Sequence, residues 1–310
     1  MKPILITFGL RPDLDALACA IAYAELLNAQ GKAAVVGTTG EPHEEVKYVF
    51  DRFGFKNPDL LVDADGYDEI ILVDKSDLMG IEDKINPEKV IEVIDHRKVH
   101  QAEKFPNAKV QIELVGAAAT LIAEKFMKDD MAISKNSAIL LFSAIISNTL
   151  NFKGTLTTAR DVSAAAWLNR TAGLPDDFWK EMFLAKSDLS GGKLAERVRG
   201  DLIWFEAAGK KVGIAQIEMI GAKKLTYERS DDIVRILKAV KAEMGLDFIF
   251  QNIIELEACK NYFLTDNSET EALLHKVLKV TFSGSVAQKP ELIMRKQIIP
   301  LIKAELEGHH

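Results

Sequence analysis

Three apolar runs in this chain end on ionisable side chains of the kinds that hold divalent cations. Ile4–Phe8 leads into Arg11-Pro-Asp-Leu-Asp15, Glu69–Val73 ends on Asp74, and Val90–Ile94 ends on Asp95-His96-Arg97. Carboxylate oxygens and a neutral imidazole nitrogen suit hard and borderline metals. Such an ion activates water and screens phosphate charge, so the implied chemistry is metal-assisted hydrolysis. Each motif has a plainer role as well. Asp13 or Asp15 could simply cap a helix, Asp74 could be a surface acid, and Asp95-His96-Arg97 could be a solvated ion pair. Their recurrence at three strand ends favours a common site, because ligands of open α/β sheets gather beyond the carboxyl ends of the strands. The acid beside His96 can fix the orientation of the imidazole, and the forked guanidinium of Arg97 suits phosphate oxygens.

Two further motifs carry less. Asn148, in Ala144-Ile-Ile-Ser-Asn-Thr149, offers metal only a neutral amide oxygen, and helix-end capping is its plainer role. Arg295 and Lys296, at an expected strand–helix junction, could neutralise phosphate, although such cations are usually just solvated. No glycine-rich phosphate loop follows any strand.

The elements that must position these residues follow from hydrophobic periodicity. The first half alternates strands (Ile4–Phe8, Ala33–Val36, Asp68–Asp74, Val90–Asp95) with helices (Leu14–Gln30, Glu44–Phe53, Ala117–Lys128, Lys135–Leu150, Thr158–Gly173). That alternation predicts an α/β fold built on a mainly parallel, doubly wound sheet. Paired glycines after Asp188 predict a linker over residues 189–193, between domains spanning 1–188 and 194–308. The second half reads as a smaller mixed α+β domain. Its expected elements are a hairpin about Ala208-Gly-Lys210, a helix capped by Ser230, a strand Phe248–Leu256, a helix Glu269–Val280, and a short strand Leu292–Arg295 leading into a helix Gln297–Leu306. Ala33–Val36 is read as an edge strand that could pair across a homodimer axis.

With 310 residues the chain suits two cores, and 48% hydrophobic with 27% charged residues is a globular composition. A formal charge of −7 argues against general affinity for nucleic-acid duplexes. Cys19 and Cys259 read as packed thiols rather than a disulfide. No signal-peptide pattern or membrane-length apolar run is present, so a cytoplasmic protein is expected. The final His309 and His310 read as the remnant of a purification tag and are set apart from the chemistry.

In these motifs the chain resembles the DHH phosphoesterase superfamily, and most closely its manganese-dependent (family II) inorganic pyrophosphatases. The resemblance rests on Arg11-Pro-Asp-Leu-Asp15 with Ala18-Cys-Ala-Ile-Ala-Tyr23, then Ile71-Leu-Val-Asp74, Val93-Ile-Asp-His96, Val115-Gly-Ala-Ala-Ala-Thr120 and Ser143-Ala-Ile-Ile-Ser-Asn148. Lys211–Gln216 and Arg295–Pro300 are similar to the associated C-terminal domain. The resemblance implies two Mn²⁺ ions, with Mg²⁺ or Co²⁺ as substitutes, and a small phosphate-containing substrate; for this chain the expectation is two ions, one or none. Asp13 would bind one ion, Asp15 and His96 the other, and Asp74 would bridge them. Asp95 would orient the site, Asp74, His96 and Arg97 would serve catalysis, and Arg97, Arg295 and Lys296 would grip the substrate.

The chain departs from the family pattern at several positions. Gly9 and Leu10 stand where a His precedes the Pro-Asp-x-Asp pair, Arg97 replaces a second His, and Asn148 replaces a metal-binding Asp. Ile203 stands at a substrate-binding Lys, and Met294 aligns with an Arg. Prune-type exopolyphosphatases of the same superfamily share the Asp-His-Arg triplet. The expected function is hydrolysis of pyrophosphate or short polyphosphate with altered or reduced activity. The alternatives are a non-catalytic phosphate-ligand or partner-binding descendant, and a small-nucleotide phosphodiesterase with Trp204, Phe205 and Tyr262 as base platform, although core packing is the plainer role of those rings.

Overall fold

Alternating apolar runs and capped helices generate the architecture seen in the computed structural model, which describes residues 2–10, 12–61, 63–98 and 100–308. Arg11 and the proposed tag residues His309 and His310 lie outside the described residues. The chain divides into two compact units, residues 1–185 and 186–310.

In the first unit β1 (Ile4–Thr7) is buried along its whole length. The helix α1 (Leu14–Ala29) begins at Asp13, whose carboxylate accepts a hydrogen bond from Ala16 N at 3.0 Å. There follow β2 (Ala34–Thr38), α2 (Glu44–Phe53), β3 (Asp59–Leu60), β4 (Ile70–Val73), β5 (Val90–Asp95) and β6 (Lys109–Ile112). These strands form one parallel sheet in the order β3-β2-β1-β4-β5-β6. β1 and β4 are neighbours whose chains leave toward opposite edges, so the crevice at a topological switch point opens between their carboxyl ends. The helices α3 (Ala118–Lys128), α4 (Lys135–Asn148), α5 (Ala159–Ala172) and α6 (Phe178–Lys186) follow the sheet.

The edge expected at Ala33–Val36 is corrected. β2 is an interior strand, paired with β1 from Ile4↔Ala34 to Ile6↔Val36 and with β3 at Gly37↔Asp59 and Thr38↔Leu60. β3 escapes a periodicity reading because it is two residues long and exposed on both.

The second unit contains α7 (Lys193–Gly200), β7 (Leu202–Ala207), β8 (Lys210–Met219), α8 (Ala222–Glu228), α9 (Ser230–Met244), β9 (Phe248–Glu255), β10 (Lys260–Thr265), α10 (Ser268–Leu278), β11 (Phe282–Ser283), β12 (Val286–Lys289) and α11 (Arg295–Glu307). Its sheet runs β11-β12-β10-β9-β8-β7, with β8 and β9 parallel and the other pairs antiparallel. Alternation along the strands splits the apolar core between two faces. Val212, Ile214, Phe250 and Phe263 pack with residues of α10 and α11, while Ile217, Ile249, Ile253 and Leu264 pack with residues of α7 and α9. The hairpin turn at Ala208-Gly209 has φ of +49° and +72°, the twist that two-residue hairpins require.

Two local expectations fail here. Leu292–Arg295 is not a strand, because Ile293 bonds to side chains instead of a ladder and Arg295 already opens α11. Asn261 Oδ1 accepts from its N–H at 3.0 Å, and Asn252 and Asn261 Nδ2 donate to its carbonyl at 3.0 and 2.7 Å. Ser230 is the first residue of α9 rather than its cap, since α8 ends against it at Arg229. Among the described residues no helix is long and apolar enough to cross a membrane.

Candidate metal centre

Asp15, in the first turn of α1, is fully buried and held at four points. Ala118 N and Ala119 N, which open α3, donate to its two oxygens at 2.8 Å each. Asn148 Nδ2 donates at 2.7 Å, and Cys19 Sγ lies at 3.5 Å. The positive end of α3 therefore faces this carboxylate. A second buried acid shapes that turn. Asp161 accepts from Gly116 N at 3.0 and 2.9 Å and from Thr120 Oγ1 at 2.6 Å. A Cβ on Gly116 would lie 2.5 Å from Thr149 Cγ2 and 2.9 Å from Asp161 Oδ2, so only glycine fits.

Asp74 follows β4 directly and has φ of +50°, a left-handed conformation that costs a non-glycine residue about 1 kcal/mol or more. Its Oδ2 is 3.5 Å from Arg97 Nη2. Its Oδ1 is buried and has no hydrogen-bond partner among the described residues. His96 Nε2 lies 3.5 Å from that oxygen and 3.7 Å from Asp15 Oδ2. The ring is oriented through its other nitrogen, Nδ1, which is 3.0 Å from the Val115 carbonyl. Donation from Nδ1 leaves Nε2 to face the carboxylates.

The orienting role given to Asp95 is corrected by this geometry. Asp95 is fully buried and accepts from Ser76 Oγ and, at 2.7 Å, from the backbone N of His96. It fixes the main chain of the triplet, while a backbone carbonyl orients the imidazole.

Burial alone would lower the pKa of His96, but Asp74 and Asp15 outweigh it and hold the imidazolium up to about 9. Burial would likewise raise Asp74, yet Arg97, His96 and Lys75 bring it below the usual carboxylate range. Asp15 is raised by burial and by Asp74. Asp13 is half-buried and pushed up to about 8 by desolvation and then by Asp74, Asp15 and Glu45. The crevice thus concentrates negative charge that the protein leaves partly uncompensated.

Asp15, Asp74 and His96 each offer one ligand atom, and these atoms lie within 4.8 Å of one another. The unpartnered Asp74 oxygen and the mixed oxygen–nitrogen donor set fit a divalent ion such as Mn²⁺. Asp13 borders this group without joining it, since its Oδ1 caps α1. Asn148 is corrected from a weak metal ligand to a hydrogen-bond donor on Asp15, and it does not cap its own helix. Arg97, 40% exposed at its side chain, pairs with Asp74 and presents a partly open guanidinium.

In the second unit the Arg295 guanidinium is turned onto Asp201, donating to its carbonyl and, at 3.1 Å, to its carboxylate. Arg295 therefore anchors the start of α11, whereas Lys296 is exposed. Tyr262 is core, and Trp204 and Phe205 alternate across β7, so the three rings form no single platform.

Sequence reasoning missed Lys75, whose side chain is 6% exposed, and Glu45, which is buried and accepts from Ser147 Oγ at 2.6 Å. The adjacency of Lys75 to Asp74 was the available signal. Glu45 had none, because an acid in the first turn of a helix reads as a solvated favourable charge.

Residues 3–145 match the DHH family N-terminal domain, and residues 180–304 match the DHHA2 domain. A Bacillus cytotoxicus protein named a probable manganese-dependent inorganic pyrophosphatase is 30% identical over 97% of this chain and 98% of its own length. A Methanothrix thermoacetophila protein named a manganese-dependent inorganic pyrophosphatase is 31% identical over 94% of this chain and 95% of its own. Among solved structures, a Methanococcus jannaschii protein described as a candidate family II inorganic pyrophosphatase superposes with a TM-score of 0.77 at 29% identity, covering 98% of this chain and 99% of that one. An exopolyphosphatase-related protein from Bacteroides fragilis, at 14% identity and a TM-score of 0.52 over 99% of this chain and 92% of its own, is similar in fold alone.

Proposed function

We infer that this chain, which belongs to the manganese-dependent inorganic pyrophosphatase family of DHH phosphoesterases, hydrolyses the phosphoanhydride bond of inorganic pyrophosphate or short polyphosphate. The observation that carries the reading is the convergence of Asp15, Asp74 and His96, with one buried Asp74 oxygen left unpaired. These three side chains would hold the ion. A bound divalent ion supplies Lewis acidity, which draws charge from phosphate and makes water a better nucleophile.

The chain's own residues supply the rest. Arg97, His96 and Lys75 keep Asp74 ionised despite its burial. The Val115 carbonyl holds His96 with Nε2 toward the carboxylates. Arg97 offers forked donors to phosphate oxygens, and in the second unit the exposed Lys296 is assigned a phosphate-binding role. Arg295, engaged by Asp201, supports that assignment by fixing the first turn of α11. The cytoplasmic setting expected from the sequence belongs to the same reading, supported by two cysteines that form no disulfide.

Phosphate release from pyrophosphate and from tripolyphosphate with Mn²⁺, Mg²⁺ or Co²⁺ tests the proposal. Release that depends on the metal is expected. Thermal stabilisation by pyrophosphate without any release would replace hydrolysis with ligand binding, since binding to the native state raises stability by mass action.

A further inference from the structure

Lys75 directly follows Asp74 in the chain and is buried beside it. Its ammonium is fixed by Asp77 Oδ1 at 2.5 Å and by the Met79 carbonyl at 2.9 Å. The same side chain runs along the loop between β1 and α1. A Cβ on Gly9 would lie 3.4 Å from Lys75 Cδ and 3.7 Å from Nζ. That flank of the centre therefore carries a buried ammonium paired with the Asp77 carboxylate, and Gly9 brings it no donor side chain. Arg97 supplies a second cation, with Nη2 at 3.5 Å from Asp74 Oδ2 and Nη1 at 3.8 Å from Asp95 Oδ2.

One oxygen of Asp74 is thus matched to Arg97, and the unpaired one is the oxygen nearest His96 Nε2. Asp13, the remaining carboxylate of the crevice, has Oδ1 engaged by Ala16 N. We propose that the centre holds a single divalent ion, on Asp15, Asp74 and His96, and that Lys75, with Arg97, takes the electrostatic place a second ion would fill beside Asp74. Two fixed cations beside Asp74 offset part of the negative charge that would attract a second ion. The inference deepens the metal-dependent reading above and rests on it for the identity of the ion, but its test does not need turnover.

Calorimetric titration of metal-free protein with Mn²⁺, followed by electron paramagnetic resonance of the loaded protein, decides the matter. The expected result is one Mn²⁺ per chain and a spectrum without exchange coupling. Any other stoichiometry, or the spectrum of a coupled ion pair, overturns the proposal. Lys75→Met, nearly isosteric and neutral, is expected to admit a second ion with at least a tenfold gain in its affinity. A folded Lys75→Met protein that still takes one ion removes Lys75 from the account. If that variant does not fold, Lys75→Gln takes its place, and the wild-type stoichiometry remains decisive on its own. One ion without phosphate release would sink the hydrolase reading and spare this inference. Two ions with release would do the reverse.

Discussion

Two groups of buried polar side chains, one in each unit, differ in how completely the protein satisfies them. In the second unit Gln216, Asn252 and Asn261 are neutral and bond to one another, to Ile293 and to Arg295 N, with separations of 2.5–3.3 Å. In the first unit Asp13, Asp15, Asp74 and His96 are charged or shifted, and one Asp74 oxygen has no partner. Neutral amides that saturate one another hold a backbone segment in place. Acids crowded at a strand edge raise one another's pKa and are relieved only by a cation. Buried polarity holds backbone in the second unit and leaves room for a cation in the first.

Removing charge from the unsatisfied group should have the largest effect. Asp74→Asn keeps the shape but not the anion, and it should cut both Mn²⁺ affinity and phosphate release by at least about 100-fold. Metal analysis after desalting and a release assay check this. Unchanged metal content would erase the contrast between the two groups.

Asn148→Asp sharpens the contrast from the other side. It would replace a donor 2.7 Å from Asp15 with a second anion. The metal-free variant should melt at lower temperature than wild type, while Mn²⁺ affinity should rise about tenfold. Calorimetry reads both quantities, and a rise in melting temperature without metal would contradict the repulsion.

A smaller effect comes from pH. Metal-free His96 keeps its proton up to about pH 9, against an ordinary value of 6.5. The stability it contributes is fully present below pH 6.5 and is lost as pH rises through 9. Asp13, raised from 3.8 to about 8, retains a proton that the unfolded chain has already released, so it also lowers stability as pH climbs toward 8. The melting temperature of metal-free protein should therefore fall between pH 6.5 and 9. Stabilisation by Mn²⁺ should grow over the same window, because metal binding displaces the His96 proton. Differential scanning at several pH values, with and without Mn²⁺, tests the sign.

The satisfied group should leave the metal untouched. Asn261→Ala strands the Ile293 N–H and leaves its carbonyl with Asn252 alone, at a stability cost of about 1–3 kcal/mol. Mn²⁺ stoichiometry should not change, and a loss of metal in the folded variant would mean that the two groups are coupled.

Much of the first unit's frame was legible in the sequence, because apolar runs such as Ile70–Val73 alternate with helical patterns as buried parallel strands do, and the acids follow them at once. The edges were less legible. β3 is too short for periodicity, and β6 begins with Lys109 and carries no buried residue. Within the site, residue types indicated the ligands but not the use of each oxygen. Asp95 looked like the partner of the His96 ring, yet that partner is the Val115 carbonyl, whose position depends on the turn that Asp161 and Gly116 build. Asp161 stands three residues after Thr158, the spacing of an ordinary capping box, which the two residues also form. Lys75 resembled a solvated surface lysine until the fold closed Gly9 over its side chain. Leu292–Met294 resembled a strand because a short apolar run does not reveal that its hydrogen bonds go to asparagines.

Anomalous diffraction at the manganese edge, from crystals grown with Mn²⁺, tests the central claim most directly. The account predicts the strongest peak about 2.0–2.3 Å from a carboxylate oxygen of Asp15, a carboxylate oxygen of Asp74 and His96 Nε2. A fully loaded crystal whose strongest peak lies away from all three side chains would contradict it.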